Sequence, residues 1–252
     1  MLVAYRYLLR EGLRLRKMLP WLMLAFVAFL FAMFWGRFAS DATPADKYVN
    51  VINLLIFRLL PLSAAIYSTM IVAQEIEQKT IVYLLTRPIP RWQLIIGRWA
   101  ATATTVVIIS VIGMIAAQMG SRGGSAFFAR DLLAVALGAA AYTSLFMFIT
   151  LLFNRALIIC VLFAFGWESS VPNLPTGLQG LSILSHMQAI AKHPDGGESG
   201  GQVLDLIAGL LGKTDMNPLT SGFGLVVFSV VMVGLSAYWF STHEFIPRED
   251  SE

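Results

Sequence analysis

The sequence predicts an all-α integral membrane protein with six transmembrane helices and an N-terminal interfacial helix, and three observations carry that expectation. Hydrophobic residues fill 57% of the 252 positions and charged residues only 13%, against roughly 45–50% apolar and 25% charged in soluble domains. Nearly uncharged runs recur along the chain, most of them reaching the ~20 residues a helix needs to cross ~30 Å of hydrocarbon. Short stretches rich in Gly, Pro and charge separate the runs. The whole of 1–252 reads as a single transmembrane domain.

Each element follows from its residues. In 1–17, Arg6, Arg10 and Arg14 recur every four positions, with Tyr5, Leu9 and Leu13 one position behind each. That spacing predicts an amphipathic helix along the membrane interface; a solvated basic tail is the alternative. The first span, about 18–38, opens with an uncharged stretch at 18–35, longer than the 7–15 residues of a signal-peptide core, so it is expected to be a retained anchor. An outer segment with Asp41, Pro44 and Asp46 leads to the second span, about 49–73, which carries Asn53, Arg58 and Pro61. The third span covers about 94–119, and a glycine-rich outer turn with Arg122 and Arg130 follows. In the fourth, about 132–153, the stretch AVALGAAA offers small residues for close helix approach. Asn154 and Arg155 make a tight turn into the fifth, about 156–172. Its uncharged part, 156–167, rises only ~18 Å, so it must continue past Glu168 or stop inside the membrane. The sixth span, about 219–242, precedes a polar tail.

Charge placement predicts orientation. With the N-terminus inside, Arg6, Arg10, Arg14, Arg16, Lys17, Lys79, Arg87, Arg91, Arg98, Arg155 and Arg248 would be cytoplasmic. Arg37, Lys47, Arg122, Arg130, Lys192 and Lys213 would lie outside. Eleven against six in short flanks favours a multi-pass protein of the cytoplasmic (inner) membrane with both termini inside. The basic balance, pI ≈ 9.1, is thereby accounted for without nucleic acid as a partner.

Little in the sequence points to catalysis or metal binding. GLLGKT at 209–214 resembles the end of a phosphate-binding loop, but position 207, five before the Gly212-Lys213 pair, holds Ile where that loop needs Gly. His186 and His193 are seven residues apart with Asp195 nearby, without the His pair spacing of zinc sites, and are expected to be solvated outer residues. Cys160 is alone, which excludes an intrachain disulfide. No Gly-x-Ser-x-Gly nucleophile elbow occurs, and an intramembrane enzyme would have only Arg58, Glu168 and the two histidines to work with.

Arg58 lies well inside the second span, where an ionisable side chain costs ~2.5 kcal/mol or more unless it faces protein or water. The carboxylate at comparable depth is Glu168, so the two are expected to pair or to line one polar cavity; the alternative is that Arg58 snorkels outward and Glu168 sits at the interface. The outer segment, 169–218, breaks at Pro172 and Pro175. It then repeats Leu178, Leu181, Leu184 and Met187 at three-residue spacing. A short helix dipping into or lying on the outer membrane face is expected, as part of an outer gate.

Between spans two and three, residues 74–91 carry Glu75, Glu77 and Lys79, then the apolar group Ile81, Val82, Leu84 and Leu85. Arg87-Pro88 and Ile89-Pro90 would terminate any helix there, and Trp92 suits a return through the interface. A rigid short helix over 74–85 and an ordinary solvated loop both fit these residues.

An acidic residue after span two (Glu75 or Glu77), Lys79-Thr80, Leu84-Leu85, Arg87-Pro88-Ile89, then Arg91 and Arg98 resemble a pattern of the permease subunits of ABC-2-type transporters. Lys79 stands where that pattern usually has Gly. The layout also resembles theirs: an interfacial first helix, six spans, a minimal turn between spans four and five and a long outer segment before span six. The resemblance implies a coupling helix over about 74–85 seated in a separate ABC ATPase subunit, with a second contact at Asn154-Arg155. It implies two copies of that ATPase, which would hold the ATP and Mg, and no cofactor on this chain. A second permease copy, or a related permease, would complete the pathway among membrane lipids. Glu75, Glu77, Lys79, Thr80, Leu84, Leu85, Arg87, Asn154 and Arg155 are then the coupling candidates, and Arg58 and Glu168 the pathway or intramembrane pair. The function implied is that of a transmembrane permease subunit, ATP-driven and most simply an exporter. The rival is a non-transporting membrane scaffold or assembly factor that docks a cytoplasmic partner.

Overall fold

A computed structural model describes residues 2–38, 43–77, 91–122, 125–153, 155–171, 179–193 and 217–242. Those residues are helical almost throughout. The reason is solvent: hydrocarbon offers no partner for a backbone N–H or C=O, so each segment must satisfy its own. Hydroxyls obey the same constraint. Thr102, Thr105, Thr143, Thr150, Ser229 and Ser236 each donate to the carbonyl four residues earlier, at 2.6–2.9 Å.

The chain begins with α1 (Leu2–Gly12), which is distinct from α2 (Leu15–Phe38). Helix α3 (Pro44–Val51) starts at a capping box, in which the Thr43 hydroxyl accepts from the Asp46 N–H and the Asp46 carboxylate accepts from the Thr43 N–H. It runs through a π turn, Ile52–Ile56, into α4 (Phe57–Glu77). Next come α5 (Arg91–Ser121), α6 (Ser125–Leu152) and α7 (Ala156–Leu162). A second π turn, Phe163–Trp167, extends α7 to a final turn, Glu168–Ser170. A single 3-10 turn at Gln179–Leu181 precedes α8 (Ile183–Ala191), and α9 (Pro218–Thr242) is the last helix described.

Among the described residues, five helices are long and apolar enough to cross a membrane: Leu15–Phe34, Pro44–Met70, Trp92–Ser121, Ala126–Leu152 and Pro218–Thr242. The fifth apolar run in chain order is shorter, Ala156–Ser170, and at 1.5 Å per residue it covers only about 22 Å. Of the two outcomes open to it, continuing past Glu168 is the one observed, with the last helical turn at Glu168–Ser170. Helix α4 continues without a break through positions 74–77, the start of the 74–91 region, and α5 begins at Arg91, where that region ends.

α4, α5 and α6 form the centre, packed on one another. Around them, α2 lies on α5, α9 on α6 and α5, and α7 on α6 and α4. Tyr48, Ile52, Phe57, Leu60, Tyr142, Phe146 and Met187 are the large side chains sealed within. Where helices come closest, the side chain disappears: a Cβ at Gly120 would lie 2.5 Å from the Phe29 carbonyl oxygen and 2.8 Å from the Ala32 Cβ. Polar ties across helices are few and specific. Trp99 Nε1 donates to the Ala140 carbonyl at 3.2 Å, and the Tyr67 hydroxyl to that of Lys17 at 3.3 Å. By contrast Phe26, Met23, Phe223, Val230 and Tyr238 stay exposed on α2 and α9, as expected of helices whose outer faces meet lipid.

Candidate functional site

The two π turns frame the site. In each, the backbone N–H of the residue that follows bonds five residues back, Phe57 to Ile52 and Glu168 to Phe163. The extra residue rotates everything after it about the helix axis relative to a straight α-helix, which is why such bulges accompany functional positions. Pro61 contributes to the first: lacking an N–H, it cannot bond the Phe57 carbonyl, so the ladder is already weakened there. Arg58 and Glu168 come just after these turns, and they line one cavity together with Phe57, Pro61, Ala164, Phe165, Ser169 and Leu184.

Within that cavity the two charges do not join: no ion pair links Arg58 to Glu168 among the described residues. Arg58 is exposed, whereas Glu168 is 2% exposed and is engaged by a helix end. Its Oε1 accepts from the Ile183 N–H at 3.1 Å, and its Oε2 from the Leu184 N–H at 3.2 Å and the Ser182 hydroxyl at 2.6 Å. The Ser182 hydroxyl in turn accepts from the Ser185 N–H at 3.1 Å, capping the helix. A carboxylate at a helix N-terminus meets free N–H groups and the positive end of the helix dipole. Glu168 therefore replaces the solvation it loses on burial without needing an arginine.

The helix so held, α8, is wedged between α6 and α9. Ile183, Leu184, Met187 and Ala191 are buried on it. The small-residue stretch of α6 makes the space: a Cβ at Gly138 would collide with the Met187 sulfur. The AVALGAAA run thus receives a folded-back helix. At its far end α8 closes on Lys192 in the left-handed conformation (φ 47°), whose N–H bonds the Gln188 carbonyl at 2.9 Å.

One residue further, His193 overturns its expected solvated state. Its side chain is 7% exposed, and its Nε2 lies 2.7 Å from Oδ1 of Asp131, which is fully buried on α6. The imidazole stacks on Phe57 at 6.1 Å and meets the Phe127 edge at 5.8 Å. Tyr48 of α3 faces the same carboxylate. His186 is part-buried too, with Nε2 3.0 Å from the Gly180 carbonyl oxygen. Asp131 was the residue that sequence reasoning missed. It stands at the N-terminal margin of the fourth apolar run beside Arg130, where an acid looks like ordinary solvated punctuation.

The coupling candidates fare differently. Glu75 and Glu77 belong to the last turns of α4, so the rod that carries Arg58 extends unbroken to them. Arg155 is exposed and precedes α7. Lys79, Thr80, Leu84, Leu85, Arg87 and Asn154 lie outside the described residues, as do Asp195 and the 209–214 stretch. Among the described residues no cluster of three or more His, Cys, Asp or Glu could hold a metal.

A polytopic, all-helical membrane protein with a charged cavity and a folded-back helix is the class that this architecture defines. The family is narrower: residues 10–174 match the model of the ABC-2 family transporter protein, and the chain belongs to that family. It is accordingly a multi-pass membrane permease subunit of an ABC transporter, the non-catalytic part that pairs with an ABC ATPase subunit. No match to the chain was found among curated proteins.

Proposed function

We propose that this chain is one permease half of an ATP-driven exporter in the cytoplasmic membrane, with both termini inside, and that α4 is its lever. The observation that carries the reading is the continuity of α4. One uninterrupted helix of 21 residues, about 30 Å long, joins the cavity residue Arg58 to Glu75 and Glu77 at the head of the 74–91 motif. Two ATPase subunits closing on ATP and Mg would push that motif, and a helix continuous from the motif to Arg58 carries the push to the cavity. Two permease copies, or this chain and a related one, enclose the pathway along the face where Arg58 is exposed, because lipid is a poor surrounding for that charge. α8 and the rest of 169–218 form the outer gate.

The test is coupling. The chain is reconstituted with its cognate ATPase subunit, and hydrolysis is followed with and without the permease. Glu75→Ala with Glu77→Ala is expected to preserve assembly of the permease while abolishing its effect on hydrolysis. Full coupling in that double variant would remove α4 as the lever. A permease that binds the ATPase but never alters its rate would favour the scaffold.

A further inference from the structure

We propose that α1 and the start of α2 form a docking surface for anionic phospholipid headgroups. Arg6, Arg10, Arg14 and Arg16 are all exposed. Among the described residues none of them has an ion-pair partner. The acid on the helix, Glu11, is already occupied, with its Oε1 3.1 Å from Lys17 Nζ. Arg6 and Arg10 sit one helical turn apart, an arrangement in which like charges repel. Among the described residues, four exposed guanidinium groups thus cluster within eleven positions of the chain with no ion-pair partner to offset them.

The other face of α1 explains why this cluster cannot turn away. Leu8 and Gly12 are buried. The Tyr5 hydroxyl donates to Thr104 Oγ1 of α5 at 3.2 Å, and a Cβ at Gly12 would come 2.9 Å from Thr105 Oγ1. The Tyr67 hydroxyl bonds the Lys17 carbonyl, pinning the junction from α4. Helix α1 is therefore fixed on the bundle with its arginines outward.

What meets them follows from covalent continuity. Only Leu13 and Arg14 separate α1 from the membrane-crossing α2. In the same stretch Tyr7, Leu15 and Leu19 are 63%, 76% and 51% exposed. Apolar side chains interleaved with arginines at the foot of a span suit the boundary between acyl chains and headgroups. Guanidinium is the cation best matched to phosphate, because its planar donors engage two oxygens at once.

The full chain is placed in nanodiscs of phosphatidylcholine alone or mixed with phosphatidylglycerol, and retained lipid is counted by native mass spectrometry at two salt concentrations. Wild type is expected to retain phosphatidylglycerol selectively, less so at high salt. Replacing Arg6, Arg10, Arg14 and Arg16 with Gln should lower that retention by on the order of tenfold or more. Lys at the same positions should largely restore it. Gln at the exposed Arg122 and Arg130 is the control and should leave retention unchanged. Undiminished selectivity in the fourfold Gln variant overturns the proposal, as does equal loss in the control. So does a variant that keeps its lipid but no longer binds the ATPase subunit, which would make this cluster a protein-docking surface. If the fourfold variant does not fold, the Arg6→Gln, Arg10→Gln pair gives the same comparison.

Discussion

Two buried carboxylates decide how α8 and the residue after it are held, and neither is neutralised in the way its sequence neighbourhood suggests. Glu168 accepts three hydrogen bonds from the start of α8. Removing it leaves two backbone N–H groups and a hydroxyl unpaired in a dry setting, so Glu168→Ala should lower unfolding stability by about 2–4 kcal/mol. Ser182→Ala, which also removes the α8 cap, should lower it by about 1 kcal/mol. Because the two share one network, the double variant should lose clearly less than the sum. Additive losses in detergent unfolding would mean that the two residues act separately. At the other end, His193→Ala strips the buried Asp131 of its imidazole partner and should lower stability by about 2–3 kcal/mol. A thermally neutral His193→Ala would contradict the burial of this pair.

At the scale of elements, α8 depends on a void that glycine leaves in α6. An Ala at 138 would press on the Met187 sulfur, and overpacking of this kind costs about 1–3 kcal/mol. Met187→Ala in the same background should recover most of that loss, a compensation measurable by thermal unfolding; two independent losses would show that the side chains do not share the space. The folded-back helix was only half legible beforehand. Leu181, Leu184 and Met187 repeat at helical spacing, yet periodicity cannot tell a helix on the membrane surface from one inserted beside α6. Gly138 selects insertion, and the sequence offered it merely as a site of close approach to some other helix. The π turns were harder still, since Ile52–Ile56 and Phe163–Trp167 are apolar runs like their flanks. Pro61 was their nearest visible trace.

For the molecule as a whole, the described helices bury a single cysteine, Cys160, with no solvent-accessible surface. It is expected to resist maleimide in the folded protein and to react once the bundle opens, so labelling against temperature should track loss of helix. Rapid labelling under native conditions would show that α7 is not packed against α6. The membrane class, the order of the apolar segments, the amphipathic pattern of α1 and the family were legible in the sequence alone. Hydropathy and short-range spacing are local properties, and a bilayer imposes one helical solution on each greasy run. Tertiary structure decided which groups answer the buried charges. Glu168 is served by backbone 15 and 16 residues away, and Asp131 by an imidazole 62 residues away. Those distances close only because α8 packs between α6 and α9, with its first residues at Glu168 and His193, just past its end, at Asp131.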